Sequence, residues 1–342
     1  MNKYIYIILL IINVSLYSNT LSPDGSFIDL PFNAKSGSLG NTSLSNIGDP
    51  CNIITNPANI WFGNRVNSSK NSFSENTFYR LSASNYKLFK SDNNYNIMMS
   101  TQFGDKLTIG LGYIGRTEDK IDNYDANANY LGNIEFKESA LFLGGASNFG
   151  IINIGASLGL LTNNFEGNSI INKSNESYIT NAGISLNNII IRSNKDNNGF
   201  LGTVIKILPK DISINLTSKN IIYNDELSNN STYKNILGFK ANYTSEENNN
   251  TTYILADYKS NNNITSNTYN FGIGHEYVID SKFSLGFNTG FKYVNNFESL
   301  SFGFEFKSYN GHFSISIANI QTNWNSDYII LTLNRSYDKM GK

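Results

Sequence analysis

Phe283-Ser-Leu-Gly-Phe-Asn-Thr-Gly-Phe-Lys-Tyr293 is the stretch that decides the fold. Phe283, Leu285, Phe287, Phe291 and Tyr293 alternate with Ser284, Gly286, Asn288, Gly290 and Lys292. The next stretch repeats the arrangement, setting Leu300, Phe302, Phe304 and Phe306 against Ser301, Gly303, Glu305 and Lys307. A strand sends successive side chains to opposite faces. Each segment therefore carries one oily face and one face of Gly, Ser, Asn and occasional charge. The same pattern recurs at Leu107–Tyr113, Ile152–Leu160, Tyr178–Leu186, Leu237–Tyr243, Tyr269–Tyr277 and Phe313–Ile317. No segment after the first few residues shows a helical period.

Two architectures use such strands. A soluble sandwich packs the oily face inward and wets the polar one. A transmembrane β-barrel turns the oily face to lipid and the polar face to its lumen. Three features favour the barrel. Gly, Ser and Asn dominate the polar face, where a soluble exterior would carry Lys and Glu. The segments run about 9 to 13 residues, the length of a tilted membrane strand, against about 5 to 6 in soluble sheets. Aromatic residues also mark segment ends, at Tyr269, Tyr277, Tyr293 and Phe313, where interfacial girdles lie.

Composition agrees. The 342 residues are 40% hydrophobic and 13% aromatic but only 15% charged, against about 25% charged in a typical globular protein. Mean hydropathy is negative, which excludes a helical membrane protein built from spans of about 20 apolar residues. A net charge of −1 leaves no basic footprint for nucleic acid. The single cysteine, Cys51, excludes an intramolecular disulfide.

The chain begins with a basic start at Met1-Asn-Lys3, then an apolar run from Tyr4 to Ile12 that weakens towards Leu16. Ser18 offers a small residue at a cleavage point before Asn19. This three-part pattern reads as a secretory signal peptide over 1–18, and its apolar part is too short for a membrane anchor. No Cys near the cleavage point offers a site for lipid.

From residue 76 the chain offers fifteen candidate strands: 77–89, 94–104, 106–116, 133–146, 149–162, 176–190, 199–208, 210–220, 233–245, 250–260, 266–279, 281–294, 298–309, 311–320 and 326–335. Bacterial single-chain barrels are even-numbered, so one is in excess. Pro209 would interrupt a ladder within Lys206–Ile214, which makes that region the expected error. The expectation is an all-β, antiparallel transmembrane barrel of about 14 strands over 76–335, with a tail at 336–342. Tight turns are expected at Ser91–Asn94 and Asn310–His312. Longer loops, at Arg116–Gly132, Thr162–Ser177 and Ile222–Tyr233, should lie outside the cell.

Residues 19–75 lack the alternation. They carry Gly37, Gly40, Gly48, Asp49-Pro50 and then Asn56-Pro57-Ala58-Asn59-Ile60-Trp61. Pro57 restricts Asn56 to extended geometry, and Ala58–Trp61 can start a short helix or strand. Small residues with few charges suit a segment packed into the lumen better than a solvated tail. Gly37, Gly40, Asp49, Asn56, Pro57 and Ala58 are the candidate plug or gate residues.

Those six residues also carry a resemblance. A Gly-rich stretch, an acidic residue some ten positions on and then Asn-Pro-Ala resemble the start of mature FadL-like outer-membrane proteins, the PorV/PorQ group above all. Asn59-Ile60 stands where Gly-Leu is usual, and Asp49-Pro50 replaces an acidic pair. The resemblance implies a fourteen-stranded barrel with an N-terminal hatch inside it. It further implies either passage of small hydrophobic molecules or partnership with a secretion machine.

Nothing in the sequence assembles an enzyme. A hydrolytic triad needs a nucleophile, a base and an orienting group. The two histidines are His275, which shares the parity of Tyr269, Phe271 and Ile273 and so belongs at a membrane interface, and His312 beside a Gly turn. One Cys and two scattered His make no transition-metal site, and no cofactor is expected. Asp122-Asn-Tyr-Asp125-Ala-Asn127-Ala-Asn129 alternates oxygens like a calcium loop. It lacks the turn Gly and terminal Glu of an EF-hand, however, and a solvated Asn-rich loop explains it. Lys240, Glu276, Lys292, Glu305 and Lys307 fall on the expected lumen face. There they hold the plug, set ion preference or simply hydrate a watery interior.

The leading expectation is an exported outer-membrane barrel, embedded in lipid, that moves a small hydrophobic ligand and is gated by its N-terminal plug. The alternative is a PorV-like barrel without conductance that serves protein secretion or surface assembly.

Overall fold

In the computed structural model, the described residues are 31–61 except 46, and 77–338 except 89–91, 104–105, 119, 125–128, 167–172, 192–207, 225–230, 246–249, 262–266, 281–282, 295–296, 309–312 and 323–327. The expected signal peptide, residues 19–30, the Asn310–His312 turn with its histidine, and residues 339–342 lie outside them.

The described strands are β1 (Thr77–Leu88), β2 (Asp92–Phe103), β3 (Leu107–Glu118), β4 (Ile121–Tyr124), β5 (Tyr130–Phe149), β6 (Ile152–Glu166), β7 (Lys173–Ile190), β8 (Asp211–Asn224), β9 (Ser231–Thr244), β10 (Thr251–Asn261), β11 (Thr268–Val278), β12 (Phe283–Val294), β13 (Phe297–Ser308), β14 (Phe313–Thr322) and β15 (Tyr328–Asp338). All neighbours pair antiparallel in chain order, β3 pairs with β5, and β1 pairs with β15. β4 pairs with β5 alone, from Ile121↔Ile134 to Tyr124↔Tyr130. Without it, fourteen strands close into a barrel that has no free edge.

β7 and β8 pair directly, from Glu176↔Asn224 to Ile190↔Asp211; the candidate strand at 199–208 lies outside the described residues except for Leu208. Ser231–Thr244 and Asp211–Asn224 then pair in an unbroken register.

The alternation resolves as a lipid-facing exterior. Phe302 and Phe304 are 45% and 58% exposed, whereas Ser301, which precedes Phe302, is 1% exposed. Along β12, Phe283, Phe287 and Phe291 are exposed while Ser284, Gly286, Asn288 and Gly290 are buried. Every barrel strand whose side chains are described presents Leu, Ile, Phe, Tyr or Met outward. In water such a continuous apolar belt would be untenable; in hydrocarbon it is the stable arrangement. Tyr269 lies opposite Tyr293 and beside Tyr258 on one rim, with ring centroids of Tyr258 and Tyr269 5.5 Å apart. Phe283 stacks on Phe306 at 5.5 Å towards the other rim. His275 is on the exterior, where its Nδ1 meets the Thr252 hydroxyl at 2.8 Å.

Three expected loops are largely strand. β3 extends to Glu118 and a β4 hairpin follows; β6 and β7 continue to Glu166 and back from Lys173; β8 reaches Asn224 and β9 starts at Ser231. Beyond the membrane both faces of these strands are wet, so the two-residue period vanishes from the sequence. The backbone groups still need partners, and the ladder continues without it. The segment read against calcium coordination is partly β4, with Asp122 opposite Asn133; residues 125–128 lie outside the described set. The turn expected at Ser91–Asn94 ends earlier, because Asp92 already opens β2. The last strand also runs three residues past Arg335, to Asp338, which pairs with Thr77.

Candidate functional site: the plugged lumen

Residues 31–61 sit inside the barrel and fall into two lobes. The first is organised by Asn33, whose carboxamide oxygen accepts from Ser36 N at 2.6 Å and caps the short helix Ala34–Ser38. The chain then reverses through Gly40 and Asn41, with φ of 70° and 61°. A side chain at 40 would be strained by that φ, and its Cβ would lie 2.6 Å from the Phe271 carbonyl and 2.7 Å from that of Phe291.

The second lobe closes on itself. Gly48 N donates to Asn59 O at 2.7 Å, and the Asn52 carboxamide donates to the same oxygen at 3.2 Å. Asp49 caps the turn into the helix Asn52–Thr55 by accepting from Cys51 N at 2.8 Å. Asn56 is extended, at φ −151° and ψ 97°, and caps the 3-10 turn Pro57–Ile60 by accepting from Ala58 N. Pro57 suits the first position of that turn because it has no N–H to leave unpaired. Gly37, Gly40, Asp49, Asn56, Pro57 and Ala58 are thus all buried in the lumen.

The plug meets every one of the fourteen barrel strands. Arg80 of β1 donates to Gly48 O at 2.7 Å and Asn96 of β2 donates to Phe32 O at 2.7 Å. Ile53 reaches Gly110 of β3 and Gly144 of β5. Ser157 of β6 donates to Ile53 O at 2.6 Å and Asn181 of β7 to Ile54 O at 3.2 Å. Asn215 of β8 donates to the Ser43 hydroxyl at 2.9 Å, beside Gly238 of β9. Asp257 of β10 accepts from Ser43 N at 2.6 Å. Asn270 of β11 and Lys259 of β10 both donate to Asn41 O. Gly290 of β12, Ser301 of β13, Ile320 of β14 and Thr332 of β15 complete the ring.

The small residues of the lumen face now have a physical reason. A Cβ on Gly155 would strike Pro57 and Ala58, one on Gly290 would strike Gly40, and one on Gly303 would strike Ser38. The wall is glycine-rich where plug backbone presses on it, and Ser or Asn where a plug carbonyl needs a donor.

Charge is concentrated against the first lobe. Lys35 Nζ lies 3.0 Å from Glu305, Lys307 lies 3.3 Å from Glu305 and 2.6 Å from Glu276, and Ser284 donates to Glu276 at 2.9 Å. Lys35 and Lys240 both lie over the Tyr253 ring, at 5.5 and 5.1 Å. Burial disfavours the Lys35 ammonium, but Glu305 and Glu276 outweigh it and hold the amine above its ordinary pKa. Glu276, Glu305 and Lys307 therefore share one network with the plug, while Lys240 joins through Tyr253. Lys292 is half-buried on the same face as Gly290.

The second lobe meets a different wall. Ile114 of β3, Ala140 and Phe142 of β5, Leu161 of β6, Ile179 of β7 and Ile221 of β8 all face inward and form one cluster with Phe32, Cys51, Ile53, Ile54 and Ile60. Cross-strand register joins them side by side, through Ile114↔Ala140, Ala140↔Leu161 and Ile179↔Ile221. Sequence reading missed this apolar ladder. Its trace is the doubled apolar residue, as in Leu141-Phe142-Leu143, Leu160-Leu161 and Ile221-Ile222, which breaks strict alternation because both faces are oily there. Cys51 lies in this seam, its Sγ 3.5 Å from the Ser82 hydroxyl. Burial and the nearby Asp49 charge push its thiol well above the ordinary range.

No family model and no curated protein matches this chain. Among solved structures it is similar to the CymD monoaromatic hydrocarbon channel, at 10% identity and a TM-score of 0.53, covering 90% of this chain and 98% of that one. It is likewise similar to the P. putida toluene transporter TodX, at 9% identity and a TM-score of 0.54, covering 91% and 99%. At such identities the likeness is one of fold.

Proposed function

We propose that this chain is an outer-membrane transporter for small hydrophobic molecules, gated by its N-terminal plug. The observation that carries the reading is the inward-facing ladder of Ile114, Phe142, Leu161, Ile179 and Ile221 against the second plug lobe. A lumen for hydrophilic solutes is lined by polar groups and open to water. Here an oily strip lies inside a barrel whose every strand the plug touches, which suits an apolar cargo admitted by displacement. The fold shared with a monoaromatic hydrocarbon channel and a toluene transporter supports the same class of cargo.

Glu276, Glu305 and Lys307, with Lys35, hold the plug in this reading, and Gly37, Gly40, Asp49, Asn56, Pro57 and Ala58 shape it. The extended β4–β7 end faces outward from the cell, and a signal peptide over 1–18 directs export.

Host cells with a lipopolysaccharide leaflet, carrying the full chain, should take up labelled toluene at least about threefold faster than cells without it. Liposomes containing the protein should retain sucrose. Equal leakage of sugars would overturn the reading. The rival, a PorV-like partner of secretion or surface assembly, draws on the same plug contact with all fourteen strands, since a sealed barrel suits docking. It predicts no toluene uptake and a stoichiometric partner in detergent extracts.

A further inference from the structure

Both plug lobes bury apolar side chains against the wall, Ala34, Leu39 and Leu44 in the first and Ile53, Ile54 and Ile60 in the second, but the first adds more charge-assisted contacts. Lobe 32–45 is bolted to β10–β15 by the Lys35–Glu305 ion pair, by Asp257 on Ser43 N, and by Lys259 and Asn270 on Asn41 O. Gly40 wedges it between the carbonyls of Phe271 and Phe291. Lobe 48–61 is closed by its own Gly48–Asn59 hydrogen bond and faces β3 and β5–β8 through Ile53, Ile54 and Ile60, with only the neutral donors Ser157 and Asn181 on its Ile53 and Ile54 carbonyls along that wall. It also carries polar atoms that no protein group pairs: Asn56 Nδ2, both side-chain polar atoms of Asn59 and Trp61 Nε1. Charge-assisted contacts desolvated inside a protein resist separation. An oily seam opens readily to a guest that is itself oily, because the buried apolar surface stays out of water.

We infer that lobe 48–61 swings away from the β3–β8 wall as a unit while lobe 32–45 stays fixed, and that the seam so opened, between Ile53, Ile60, Phe142, Leu161 and Ile179, is where a small apolar molecule binds on its way through. The apolar cargo rests on the transport reading above; the unequal mobility of the lobes does not. The Gly48 region, at φ +85° and held by Arg80, is the pivot.

Disulfide locks separate the lobes. Ser82→Cys would pair with native Cys51, whose Sγ lies 3.5 Å from the Ser82 oxygen, and would pin lobe 48–61 to β1. Ser43→Cys with Asn215→Cys, in a Cys51→Ser background, would pin lobe 32–45 to β8. Heat-modifiable gel migration confirms that each full-length variant folds. In the toluene-uptake cells the Ser82→Cys lock should lower protein-dependent uptake about tenfold, with recovery on reduction. The Ser43–Asn215 lock should leave uptake within about twofold of the same variant's reduced form. Equal loss from both locks, or full uptake through the Ser82→Cys lock, overturns the inference while leaving the transport reading intact. If the wild type takes up no toluene, the transport reading falls, and maleimide labelling without ligand then decides the lobes. Cys51 labelled about tenfold faster than Ser36→Cys in a Cys51→Ser background upholds unequal mobility; equal rates overturn it.

Discussion

At the scale of single residues, Gly40 and Lys35 show how little freedom the plug has. Gly40→Ala meets both a left-handed φ and two wall carbonyls. The backbone strain alone costs about 1–3 kcal/mol. The variant should keep the barrel's gel migration but lose protease resistance between residues 31 and 61. Lys35→Met leaves Glu305 with Lys307 as its remaining partner, so the expected loss is that of a charged hydrogen bond, about 1.5–3 kcal/mol. The sign of its pH dependence follows from the raised amine. Its contribution is complete below the ordinary lysine value of about 10.4 and fades as pH climbs through the higher folded value. Hydrogen exchange of amides 33–45, corrected for intrinsic rates, should therefore hold steady from neutral pH to about 10 and quicken above it. Neither role was legible before folding. Gly40 was visible as a turn glycine, but Lys35 looks like any exposed cation until residues 270 positions downstream are brought beside it.

At the scale of elements, the β12–β13 hairpin shows what a two-residue period can and cannot reveal. Its alternation named the lipid face correctly because Phe302 and Phe304 point outward, where Phe304 packs edge-on against Phe287. Phe302→Arg should cost about 2–4 kcal/mol near the midplane, read by urea unfolding of the protein in vesicles, whereas Phe302→Leu should cost under about 1.5 kcal/mol. Where both faces meet similar surroundings the period fails. It failed in the wet extensions of β6 and β7, read as loop, and again along Leu141-Phe142-Leu143, where lipid lies outside and the plug's isoleucines inside. The candidate lumen charges were legible as a face, yet the gathering of Glu276, Glu305 and Lys307 around Lys35 was not.

At the scale of the whole molecule, closure gives the wall a stability independent of its contents. Every barrel strand has two neighbours, so no edge waits for pairing. Removing residues 31–61 should leave a heat-modifiable barrel, though a weaker one, because Phe142, Leu161 and Ile179 would lose their cover. Planar-bilayer recordings should then show ion conductance that the intact chain lacks. A silent plugless barrel would mean that the wall itself closes the lumen.

The order of residues along the chain was enough to determine an exterior of oil, an interior of Gly, Ser and Asn, and a wall of about fourteen strands, because each of these is a local consequence of alternation and segment length. Only the closed barrel decided which wall residues meet the plug. It brings β3, β5, β6, β7 and β8 around the isoleucines of one lobe and sets Glu305, Asp257 and Lys259 against the other, and so gives the first lobe charged anchors beside its apolar contacts. That arrangement depends on contacts between residues a hundred to three hundred positions apart, and no local period encodes it.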